Sequence, residues 1–165
     1  MNQHNDPAYL RAEQYRTASN LNARIEIHRR FSTNSYGWTR WLFDTIGRSP
    51  GADVLELGCG QANLWTHNLA RVPSAWRITL TDFSPGMLAE AQRNLGDAAG
   101  RFRFEIVDAQ QIPFDDGSYD TVIANHMLYH VADLDAFAGF VTDTLAQTGA
   151  VQITKVSGMF EAMRV

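Results

Sequence analysis

In the segment Val54-Leu55-Glu56-Leu57-Gly58-Cys59-Gly60 a short apolar run enters a tight glycine turn, with a carboxylate two residues before the first glycine. Glycine accepts positive φ and has no Cβ, so backbone at such a turn can come close to a ligand. Gly58, Cys59 and Gly60 would present backbone N–H groups to that ligand at the start of a helix. Asp82 stands 24 residues after Gly58, and a carboxylate can accept from both hydroxyls of a ribose diol at once. Phe83, beside it, is placed to lie against a flat base. A dinucleotide-binding turn is the main rival. It would need glycine where the chain has Asn63, and it usually carries no acid at the place of Glu56.

These residues need rigid elements behind them. Helical spacing of apolar residues predicts helices over 7–18, 20–31 and about Tyr36 to Ile46. Gly47-Arg48-Ser49-Pro50-Gly51 is a break. It divides residues 1–48, an N-terminal helical part, from residues 49–165, and the two are expected to make one structural unit. Strands are predicted at 53–57, 77–82, Arg101–Val107, Tyr119–Ala124 and Ala150–Val156. Between them fall a helix near 61–71 and a helix from Ser84-Pro85, an N-cap followed by proline at N1, to Leu95. A last helix is capped by Asp133 and ended by Gly149, with Leu134, Phe137, Ala138, Val141 and Leu145 on one apolar face.

Alternating strands and helices with short connections imply an α/β, Rossmann-like doubly wound fold, with a mostly parallel sheet of about five strands. Ligands of such sheets bind at the carboxyl ends of the strands, near the point where strand order reverses. The glycine turn, Asp82, Asp108 and Asn125 all fall just after strands one to four. Asp120 begins strand four, at the other end, and reads as structural, holding the preceding loop.

Composition narrows the function classes. The 165 residues suit one domain, able to bury roughly 70% of the surface the unfolded chain exposes. Net charge is −4 and the longest basic block is Arg29-Arg30, so binding to nucleic acid or an anionic membrane has little electrostatic support. A single cysteine, Cys59, excludes an internal disulfide and gives no metal-ligand spacing. The polar start Met1-Asn2-Gln3-His4-Asn5-Asp6 is not a signal peptide, and no apolar run approaches membrane-spanning length. A cytoplasmic protein is the expectation.

Glu56-x-Gly58-x-Gly60, Asp82, Asp108-Ala109 and Tyr119-Asp120, in this order and at these strand ends, resemble the motif set of the class I S-adenosylmethionine (SAM) dependent methyltransferases. The resemblance covers about residues 51–156. Ala62 departs from it, standing where the family commonly has a third glycine. Asn125-His126-Met127-Leu128-Tyr129-His130-Val131 resembles the region after strand four in the ubiquinone/menaquinone-type group. The resemblance implies SAM as the cofactor, with Met87 near the adenosine. It implies Asp108 as acceptor for the adenine amino group, Ala109 and Gln110 assisting. The backbone carbonyl of Asn125 or His126 would receive the donor's ammonium. His126 and Tyr129 are the acid/base candidates that it leaves, while His130 reads as packing. Helices before strand one often cover the pocket in this family. Arg30 or Arg40 would then pair the donor's carboxylate, and Tyr36 or Trp38 would wall off the pocket. A solvated helix face with snorkelling arginines accounts for the same residues equally well.

The implied activity is methyl transfer to a small-molecule oxygen, nitrogen or carbon nucleophile. Only Ser157 to Val165 follow strand five, where the family usually adds two more strands. This motivates an alternative, a non-catalytic SAM-binding module or an inactive remnant needing a partner chain. Strand five, with Val151, Ile153 and Val156, would be an edge that invites pairing with a second copy or a partner chain. A nicotinamide-dependent oxidoreductase is the last reading, and both Asn63 and Glu56 argue against it.

Overall fold

Val54, Leu55 and Leu57 make a strand without polar alternation because both of its faces are covered. This strand, β1 (Asp53–Leu57), is the middle of a five-stranded sheet in a computed structural model of the chain, which describes residues 26, 30–33, 35–46 and 50–152. The other strands are β2 (Arg77–Asp82), β3 (Phe102–Ile106), β4 (Tyr119–Ala124) and β5 (Leu145–Gln152). Their order is β3-β2-β1-β4-β5 and every pair is parallel, which is the doubly wound arrangement predicted. Strand order reverses between β1 and β4, where Leu57 pairs with Ala124. The crevice at that reversal opens beside Gly58 and Asn125.

Among the described residues, helices α1 (Trp38–Thr45), α2 (Asn63–Thr66), α3 (Pro85–Leu95) and α4 (Leu134–Thr144) flank the sheet. One core joins Leu42 and Phe43 of α1, Trp65 of α2 and Leu88 and Leu95 of α3 to Val54, Ile78 and Leu80. Trp65 is its hub, meeting Phe43 edge-on at 6.3 Å and Phe102 at 5.8 Å between ring centroids. A second core, on the other face, joins Leu55, Leu57 and Val122 to Phe137 of α4. Side chains alternate along a strand, so Val54 and Glu56 face the first core while Leu55 and Leu57 face the second. α1 is tied to α2 by Asn68, whose Nδ2 donates to Thr39 O at 3.0 Å and to Leu64 O at 2.7 Å. Arg71 pairs with Asp44 and lies 4.8 Å over the Phe43 ring.

Two helix starts form as predicted. Ser84 accepts the Met87 N–H with Pro85 in the first turn of α3, and Asp133 Oδ1 accepts the Ala136 N–H at 2.9 Å before α4. Two elements differ. The helix predicted over 61–71 is a single turn, α2, followed by a 3₁₀ turn at Leu69–Arg71. Ala62 adopts the left-handed conformation and delays its start, and Asn68 bonds across to α1 instead of continuing it. β5 starts at Leu145, five residues early, because pairing with β4 captures the segment. Tyr119 pairs with Leu145 and Thr121 with Ala150, so three extra residues of β5 are absorbed in an irregularity that contains Gly149. Glycine there serves a bulge, not a helix end. Of the apolar face predicted for α4, Phe137 is buried, whereas Leu134 is 53% exposed and Ala138 is exposed.

Asp120 is structural, but its partner differs from the one predicted: its Oδ2 accepts the Asp53 N–H at 2.8 Å and fastens the start of β1 to β4. Helix 7–18, nearly all of helix 20–31 and the end of strand five from Ile153 lie outside the described residues. β5 pairs with β4 alone among the described residues and forms one edge of the sheet. No helix among them is long and apolar enough to cross a membrane.

Candidate functional site

Gly58 turns the chain out of β1 at φ +67°, and Gly60 follows at φ +56°. Two N–H groups of this turn point into the protein and not toward a ligand as predicted. Cys59 N–H donates to Thr81 O at 2.8 Å, and Gly60 N–H donates to Asp82 Oδ2 at 2.9 Å. The turn therefore spends these donors on β2, and Gly58, with no Cβ, lets another group come close to its Cα. Asp82 completes the junction, its Oδ1 accepting the Ser84 N–H at 2.8 Å. Burial raises the Asp82 carboxyl above its ordinary value, and its two backbone donors oppose that rise. Each oxygen keeps a second lone pair, so this pair of acceptors suits the hydroxyls of a ribose diol.

Glu56 and Cys59 support the turn from inside the protein. Strand alternation sends Glu56 into the first core, where it is 2% exposed and its Oε2 accepts the Trp65 indole N–H at 2.5 Å. Desolvation raises its carboxyl from 4.5 to about 7. The indole bond opposes the rise and the charge of Asp82 adds to it. Burial likewise pushes the Cys59 thiol well up, with Glu56 and Asp82 adding to the effect, so the thiol stays protonated. Met87 is also fully buried. All three were expected to touch the ligand. Their side chains lie behind the surface that would meet it.

Phe83, Asp108, Ala109 and Gln110 do come together, lining a cavity of about 70 Å³ with Met127, His130 and Val131. Asp108 Oδ1 accepts the Gln110 N–H at 2.9 Å, and Gln110 Oε1 accepts the Ala132 N–H at 3.3 Å. These bonds tie the end of β3 to the segment after β4. That segment turns sharply: His126 takes φ +55°, a left-handed conformation that costs an L-residue about 1–2 kcal/mol. His126 is exposed and Asn125 is half-buried at the end of β4. Tyr129 falls in a 3₁₀ turn, Leu128–His130.

Trp38 alone of the N-terminal candidates reaches the site, donating its Nε1–H to Asn125 Oδ1 at 3.2 Å. Arg30 pairs with Glu26 at 2.6 Å, Arg40 lies over the Tyr36 ring at 5.2 Å, and Tyr36 bonds to Asp44. The sequence reading missed Met127 and Val131 as lining residues. An apolar residue in a loop carries no signal of its own, and only the fold brings these two to the crevice. A larger groove, about 670 Å³, lies at the amino ends of the strands beside Asp53, Arg77, Arg103 and Tyr119. The strand-end rule for doubly wound sheets places the ligand at the other end, so the smaller cavity is the candidate. Among the described residues no group of three or more His, Cys, Asp or Glu is placed to hold a metal ion.

Comparison with known proteins agrees with this geometry. The methyltransferase domain family model matches residues 54–149, more than half of the chain. A demethylmenaquinone methyltransferase of Desulfitobacterium hafniense is 33% identical over 101 residues, covering 60% of this chain and 40% of its own. A ubiquinone/menaquinone biosynthesis C-methyltransferase UbiE of Idiomarina loihiensis is 29% identical over 122 residues, covering 73% of this chain and 49% of its own. The chain thus spans about half the length of the curated relatives it matches. A solved protein of Methanococcus maripaludis, assigned to the SAM-dependent methyltransferases, shares the fold, with a TM-score of 0.66 at 18% identity over 82% of this chain and 62% of its own. These matches set aside the dinucleotide-binding rival. On sequence, sheet order and the residues gathered at the strand ends, the chain belongs to the class I methyltransferase family, whose methyl donor is SAM.

Proposed function

We propose that this chain binds SAM at the crevice between β1 and β4 and methylates a small-molecule nucleophile. The observation that carries this reading is Asp82, held between the N–H groups of Gly60 and Ser84 with acceptor capacity to spare. When bound, SAM supplies a methyl group already activated on a sulfonium. The chain's task is then to bind, to orient and to exclude water, which is worth up to ~7–11 kcal/mol in favourable intramolecular cases. In this reading Asp82 takes the ribose hydroxyls and Phe83 lies against the adenine. Asp108 accepts from the adenine amino group, with Ala109 and Gln110 beside it. The Asn125 backbone carbonyl receives the ammonium. Gly58 gives the close approach, while Glu56, Cys59, Gly60 and Met87 hold the turn. His126 or Tyr129 takes the acceptor's proton where the nucleophile must lose one.

Both relatives are named for steps of quinone methylation, one of them on carbon. This supports a carbon atom of a quinone-type ring as the first acceptor to assay. A cap formed by residues 1–48, a cytoplasmic location, and a second chain along the β5 edge belong to the same proposal.

Calorimetric titration with SAM and S-adenosylhomocysteine tests the reading. Wild type is expected to bind both saturably. Asp82→Ala should weaken binding at least about tenfold, since losing hydrogen bonds to a charged group costs ~1.5–3 kcal/mol. Binding that ignores the substitution, or no binding by a folded wild-type sample, refutes it.

A further inference from the structure

The cavity at the candidate crevice is small, and Met127 is one of the residues that line it. Its volume is about 70 Å³. Pockets for drug-sized ligands run to roughly 300 Å³ and more. Met127 forms one wall of this cavity and also lies flat on the glycine turn. A Cβ placed on Gly58 would meet Met127 Cβ at 2.8 Å and Cγ at 3.0 Å. Met127 thus sits where strand order reverses, which is the ligand's place in a doubly wound sheet.

The two residues before Met127 decide where it lies, and both touch α1. His126 at φ +55° folds the chain leaving β4 back over Gly58. Its ring lies 5.4 Å from the Trp38 ring, at 60°. Asn125 Oδ1 accepts from Trp38 Nε1 at 3.2 Å. Trp38 is itself fixed, 5.0 Å from Trp41 in the same helix, and that helix is bonded to Asn68 through Thr39 O. Methionine suits a movable wall. It is unbranched and flexible, and it leaves no polar group unpaired when it swings away.

We propose that Met127 is a plug in the donor crevice, and that Trp38 is the positioning residue that seats it, acting through Asn125 and His126. The inference rests on the donor-site reading above. Donor entry then requires the turn at residues 125–127 to lift from Gly58, and α1 sets how readily it lifts.

Calorimetry with S-adenosylhomocysteine and methyl NMR of methionine-labelled protein test this together, with Met127 assigned through Met127→Leu. In wild type the ligand should move the Met127 methyl signal to that of a solvent-exposed methionine and leave Met87 in place. Met127→Ala should bind at least fivefold more tightly. Trp38→Phe keeps a ring and loses the N–H. It should bind at least threefold more tightly, with the Met127 signal already displaced before ligand is added. A Met127 methyl unmoved at saturation, or no tightening in Met127→Ala, overturns the plug. Trp38→Phe with a lower melting temperature and an unmoved Met127 signal overturns the role of Trp38. If neither wild type nor any variant binds, the donor-site reading falls and takes the plug with it. If wild type binds and every variant matches it, only the plug falls.

Discussion

Replacing Glu56 with glutamine removes one titration from the core while keeping an oxygen acceptor for the Trp65 indole. In the folded protein the Glu56 carboxyl holds its proton to about pH 7, against an ordinary value of 4.5, chiefly because burial disfavours its charged form. Below pH 4.5 the folded and unfolded chains both carry the proton. Between the two values only the folded chain does, so stability falls as pH rises through that window and levels off above it. A window of about 2.5 units at about 1.36 kcal/mol per unit gives about 3 kcal/mol. Glu56→Gln should lack this loss. The buried amide N–H₂ shifts the variant's whole curve by a constant cost, so the quantity to read is the slope. Asp82 titrates in both proteins and cancels in the difference, apart from its coupling to Glu56. Urea unfolding at intervals from pH 4.5 to pH 8.5 measures this directly. The wild-type minus variant stability should decline by about 3 kcal/mol across the range. Parallel curves would show that Glu56 titrates as it does in water, and would refute the burial argument.

Trp65→Phe removes the indole donor from Glu56, and should cost about 1–3 kcal/mol in urea unfolding at pH 8 and less at pH 5, where the carboxyl is neutral. Gly58→Ala forces a Cβ against Met127 at φ +67°, so its urea midpoint should fall by the equivalent of at least ~1 kcal/mol, and an unchanged midpoint would contradict the close approach. Asp133→Ala uncaps α4 and should cost ~1 kcal/mol, seen as a melting temperature lower by about 2–4 °C.

Local signals were the legible ones. Ser84-Pro85 and Asp133 open helices because capping depends on a residue and the next few N–H groups. The strand runs at 53–57, 77–82 and 119–124 formed as read, and with them the crevice at their carboxyl ends. Leu145 was harder. It continues the helical period of α4, yet pairing with Tyr119 of a strand far back in sequence captures it. The helix predicted over 61–71 broke for a similar reason, since Asn68 finds its partner in α1. The burial of Glu56 was within reach of the sequence, because period-two alternation puts it on the same face as Val54. The seat of Met127 was not. It depends on a positive φ at His126 and on a neighbour, Gly58, that only the pairing of β1 with β4 supplies.

The crevice lies on a seam with consequences for folding. On one side, β1, β2 and β3 can assemble from contacts of modest sequence separation, such as the Gly60 N–H with Asp82. The other wall arrives with β4, and the bond between Asp53 and Asp120 spans 67 residues. Contacts of such long range carry the larger loop-closure cost and tend to form late. A partly folded chain would therefore already own its glycine turn and Asp82, yet have no crevice. A ligand that bridges the seam binds only the finished sheet, and by mass action it protects the closing step itself.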